Sequence, residues 1–94
     1  MNLITVSFEL EKQKQMEFIQ VVEQMNDFWN ERGFTVSLFR ETALKNRFSL
    51  LLLSENNVDA LTALIQSEAE IQALFQSMKD SECRVVVSSM EQIV

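Results

Sequence analysis

Ninety-four residues suffice for one hydrophobic core and are too few for two, so the chain reads as a single domain spanning residues 1–94. Fourteen acidic against eight basic residues leave a net charge of −6, with the basic residues dispersed, which excludes nucleic acid and an anionic membrane surface as partners. No histidine, no proline, one glycine and one cysteine rule out zinc clusters, histidine-based triads, phosphate loops and an intramolecular disulfide.

The first residues, Met1-Asn2-Leu3-Ile4, carry neither a basic n-region nor a long apolar run, and no stretch approaches the ~18 apolar residues of a membrane span. The sequence therefore reads as that of a soluble, cytoplasmic protein. From Leu3 to Leu10 it alternates, with Ile4, Val6, Phe8 and Leu10 on one side of a predicted strand. Between Lys12 and Arg32 the period becomes helical: Phe18, Val22, Met25 and Trp29 form a stripe widened by Val21 and Phe28, which predicts one helix of about five turns. Gly33 stands where a helix stop is expected.

Phe34, Val36 and Leu38 alternate with Thr35, Ser37 and Phe39 to predict a second strand, and a link around Lys45-Asn46 leads into a third over Phe48–Leu53. That strand is apolar on both faces, so Leu51 and Leu53 need a cover beyond the helices. A second subunit is the simplest one, and a domain this small gains stability from it. Asn56 or Asn57 is positioned to cap a helix with the stripe Val58, Leu61, Leu64 and Ile65. Ser67 and Glu70 have capping-box spacing, which predicts a break and a restart with Ile71, Leu74, Phe75 and Met78 facing inward. A final strand is expected over Cys83–Ser89, with Cys83 as a small buried hydrophobe rather than a reactive thiol.

The order βαββαβ predicts an α+β, ferredoxin-like antiparallel sheet with the helices on one face. Phe39, Leu51, Leu53 and Val86 are the expected members of the other face, and they are the candidate dimer surface.

Three stretches carry a family resemblance. They are Glu31-Arg32-Gly33-Phe34; Phe39-Arg40-Glu41-Thr42 leading into Phe48-Ser49-Leu50-Leu51-Leu52-Leu53; and Ala60-Leu61-Thr62-Ala63-Leu64-Ile65-Gln66-Ser67. With the segment order, they make the sequence similar to the dimeric α/β-barrel superfamily, and within it to the small antibiotic-biosynthesis-monooxygenase-like proteins. The resemblance implies a homodimer in which two sheets pack face to face as a barrel. Members commonly carry a tryptophan at the end of the third strand and a histidine shortly before the helix break. This sequence has Leu53-Ser54 and Leu64-Ile65-Gln66-Ser67 there, so the iron-holding histidine of the haem-degrading branch is missing.

Trp29 lies on the apolar stripe and reads as core, and the resemblance makes it a candidate wall of a ligand pocket between helix and sheet. Asn26 nearby is a candidate polar group in that pocket. Arg40 and Arg47 flank the link between the second and third strands, as partners for an anionic or quinone-like ligand or as ordinary surface ion pairs beside Glu41. No carboxylate pair has catalytic or metal-ligand spacing, and the sequence calls for no metal and no cofactor. Two functions stay open. One is a homodimer without a recognised catalytic constellation that binds a small hydrophobic ligand or a protein partner. The other is a cofactor-free monooxygenase acting on an aromatic or polyketide-like substrate, whose activated phenolate reacts directly with oxygen. A regulatory ferredoxin-like module ranks third, since a single glycine leaves little for ligand-binding loops.

Overall fold

The computed structural model describes residues 1–79 and 85–94. In chain order the elements are β1 (Asn2–Glu9), α1 (Lys12–Gln24), α2 (Asn26–Glu31), β2 (Thr35–Arg40), β3 (Arg47–Ser54), α3 (Val58–Ser67), α4 (Ala69–Lys79) and β4 (Val86–Glu91). The four strands form one antiparallel sheet in the order β2-β3-β1-β4. This is the ferredoxin-like α+β arrangement, with each helical position filled by a broken pair.

The period-2 pattern of β1 puts Ile4, Val6 and Phe8 on the helix side, and the register sets them opposite Leu52, Leu50 and Phe48 of β3. All six are buried, and Phe18, Trp29, Leu61, Ile71, Leu74 and Met78 close over them from the helices. Phe8 sits centrally, with ring centroids 5.1 Å from Phe18 and 6.1 Å from Phe48.

The single helix expected over Lys12–Arg32 is two. Met25, at φ −89° and ψ 2°, interrupts it, although Met25 still donates to the Val21 carbonyl and accepts from the Trp29 amide. A straight helix of that length would run ~31 Å, beyond the ~27 Å of an eight-residue strand. The turn instead sets α2 against β2. The helix then stops as its glycine predicts. Phe34 N–H bonds to Trp29 O and Gly33 N–H to Asn30 O, a Schellman closure with Gly33 at φ +82°. A Cβ at Gly33 would also meet Asn56 Nδ2 at 3.2 Å. Gly33→Ala is therefore expected to cost about 1–2 kcal/mol, read as a lowered urea midpoint at unchanged slope.

Asn57 is the residue that caps α3, accepting from the Ala60 amide at 3.2 Å. The break near Ser67 lies one residue later than its capping-box spacing predicts. α3 runs through Ser67, and extended Glu68 separates it from α4. Its carboxylate receives the Arg32 guanidinium, with Nη2 at 3.3 Å and Nε at 3.4 Å, so a contact with α2's end fixes the position of the break. The last strand is described over Val86–Glu91, reaching two residues past its expected end at Ser89, with Val85 partly buried ahead of it. Pairing with β1 from Asn2 to Ser7 carries it to Glu91. Cys83 lies outside the described residues.

Candidate functional site

Between α1 and the β2 edge of the sheet runs a cleft of about 550 Å³. Ile19, Val22, Val36, Leu38 and Phe48 form its apolar wall, and Glu23, Asn26 and Arg40 supply the polar groups. The strand alternation explains the β contribution. Val36, Leu38 and Arg40 pair with Leu52, Leu50 and Phe48, so all three point to the helix side. At the uncovered edge strand they are left only partly buried or exposed.

The two ends of the cleft differ in charge. Arg40 Nη2 donates to Gln15 Oε1 at 3.3 Å, which places the guanidinium beside the first turn of α1 and 5.2 Å from the Phe48 ring centroid. Glu23 lies eight residues further along the same helix, roughly 12 Å along its axis, with Asn26 just beyond the turn. The cleft thus runs from a cationic end to an acidic and amide end over an apolar floor. Among the described residues Arg40 makes no ion pair, so the alternative of a surface pair with Glu41 is not what the structure shows. The cleft's volume falls within the range of ligand pockets, and its apolar wall carries three polar side chains.

No protein-family model matches the chain, and no curated protein matches it in sequence. Solved structures do match, over nearly the whole of both chains. The crystal structure of an antibiotic biosynthesis monooxygenase superposes with a TM-score of 0.78 at 9% identity, covering 100% of both chains. A candidate antibiotic biosynthesis monooxygenase from Bordetella bronchiseptica gives 0.79 at 18% identity, over 99% of this chain and 97% of that one. Another from Nitrosomonas europaea gives 0.77 at 12%, covering both chains completely. The chain has the fold of the antibiotic biosynthesis monooxygenases.

Within the antibiotic biosynthesis monooxygenase fold, the residues singled out in the sequence part company. Asn26 and Arg40 share the cleft. Trp29 is wholly buried on the inner side of α2, edge-on to Phe34 at 5.8 Å and Phe28 at 6.3 Å, and its Nε1–H has no hydrogen-bond partner among the described residues. Arg47 belongs to a separate shallow depression of about 340 Å³ with Glu9, Leu44 and Asn46. Among the described residues no group of three or more His, Cys, Asp or Glu is arranged to hold a metal ion, and no helix is long and apolar enough to cross a membrane.

Phe39, Leu51, Leu53 and Val86 all fall on the sheet face away from the helices, by register with Ser49, Thr5, Leu3 and Ser7. That face is less uniformly apolar than β3 alone suggests. One cross-strand row carries Leu53, Leu3 and Met90, whereas Thr5, Ser7, Ser37, Ser49 and Ser88 make its middle hydroxyl-rich. Ser7 and Ser49 Oγ approach to 3.3 Å. Phe39 at 57% and Met90 at 51% exposure are the most open large side chains on it.

Gln15 was not among the sequence candidates. It is 8% exposed, and its amide donates to Leu10 O at 3.0 Å and to Asn46 Oδ1 at 2.9 Å. The available signal was its position three residues before Phe18 and seven before Val22, a polar side chain on the apolar stripe.

Proposed function

We infer that the chain is a homodimer that binds a small, flat, hydrophobic ligand in the cleft between α1 and β2. The observation that supports this reading is the cleft itself, which lies along a sheet edge with an apolar wall and a polar group at each end. The outer sheet face supplies the dimer surface. N-phenylnaphthylamine, a neutral apolar dye, serves as the test ligand. Leu38→Trp fills the middle of the cleft from a partly buried position, and it is expected to weaken dye binding by about tenfold or more while the protein stays folded by circular dichroism. Equal dye affinity in the folded variant and the parent would overturn the reading.

The fold shared with antibiotic biosynthesis monooxygenases supports a second reading, in which the bound ligand is a phenol or quinol whose phenolate reacts directly with oxygen and the protein positions it. Such chemistry asks the protein for few side chains. Oxygen uptake with a quinol that is abolished by Leu38→Trp would support it, and uptake no faster than in buffer would remove it.

A further inference from the structure

The cationic end of the cleft is held in place by a residue that no ligand need touch. Gln15 is the one buried polar side chain on α1, and its orientation is determined by its partners. Leu10 O and Asn46 Oδ1 both accept, so both must face the amide nitrogen. The oxygen is then left to accept from Arg40. Leu10 N–H also bonds Asn46 O at 2.9 Å, which ties the end of β1 and the β2–β3 link into one frame around Gln15.

Arg40 depends on this frame. Its side chain is exposed on an edge strand, where a free arginine samples many rotamers. One hydrogen bond donated to Gln15 Oε1 and the face of Phe48 hold it over the cleft. Because the hydrogen-bond partner is a neutral amide, the guanidinium keeps its full charge for a ligand. Glu23 is the other ionisable group on the cleft wall, and it lies toward the opposite end.

We propose that Gln15 is a positioning residue that gives the cleft a preference for ligands carrying an anionic group, a carboxylate, sulfonate or phenolate, at the Arg40 end. This rests on the cleft being the ligand site. An uncharged donor such as a hydroxyl or amine at the far end of the ligand meets Glu23 and Asn26.

The test compares two dyes with one aromatic skeleton: anilinonaphthalene sulfonate, which is anionic, and neutral N-phenylnaphthylamine. Only binding lost in Leu38→Trp is counted, which removes any dye on the sheet face. The parent is expected to favour the sulfonate. Gln15→Met should cut that preference by about tenfold, the order expected for one charge-assisted hydrogen bond, with neutral-dye affinity kept within about twofold. Asn46→Ala, at an exposed position of the link, loosens the same amide without opening the core and should move the preference in the same direction. In an Arg40→Met background Gln15→Met should add nothing, which a merely structural effect on the fold would not reproduce. An unchanged dye preference in both Gln15→Met and Asn46→Ala, or a parent without preference, overturns the proposal while leaving the cleft as a binding site. Neutral-dye binding that ignores Leu38→Trp removes the cleft reading and this proposal together.

Discussion

Replacing Phe8 with alanine is expected to cost about 3–5 kcal/mol, a large fraction of the stability of a domain this size. The ring is 1% exposed and joins three elements, meeting Phe18 of α1 edge-on and Phe48 of β3 face to face. Truncation removes its transfer energy and both aromatic pairs, and it leaves a void between the β1–β3 ladder and α1 that close-packed neighbours cannot fully fill. For a domain of this size each kcal/mol moves the melting temperature by roughly 4–8 °C, so calorimetry should show a fall of about 12 °C or more. Phe8→Leu, which keeps most of the volume, should cost much less. A fall of only a few degrees for Phe8→Ala would show that the three rings do not form one packed unit.

Leu53→Glu is expected to have the largest effect on assembly. In a two-fold dimer built on the outer sheet face, one substitution puts two carboxylates into the interface, beside the row of Leu3 and Met90. Burying an unpaired carboxylate costs a few kcal/mol, so the dimer dissociation constant should rise by about a thousandfold or more. Sedimentation equilibrium should find the parent at twice 10.9 kDa and the variant at 10.9 kDa, with the variant's circular dichroism unchanged because Leu53 is already 39% exposed within one chain. A parent that sediments as a single chain at micromolar concentration would remove the homodimer reading.

What the sequence revealed and what it hid follow from range. The strands and inward helix positions were legible because their periods are local: Ile4, Val6 and Phe8 needed only alternation, and Ile71, Leu74, Phe75 and Met78 only a helical stripe. The interruption at Met25 was not legible, since no proline or glycine marks it and the stripe stays in phase from Val22 to Trp29. Arg40 and Arg47 look equivalent as flanks of one link, yet Arg40 is paired with Phe48, so Arg47 points to the other face of the sheet. Gln15 was hidden for a different reason. Its partners lie 5, 25 and 31 residues away, and only the folded chain brings Leu10, Arg40 and Asn46 to one side chain.

Among the described residues, those on the cleft wall run from Ile19 to Phe48 and none comes from α3, α4 or β4. The stretch up to Phe48 thus carries this cleft wall together with Ile4, Val6, Phe8, Phe18 and Trp29 of the core, and the remainder adds Leu61, Ile71, Leu74 and Met78 to that core. Val22 and Phe48 belong to the cleft wall and to the buried core at once, so a substitution at either changes the cleft and the stability together, whereas Leu61, Ile71, Leu74 and Met78 bear on the core without lining the cleft.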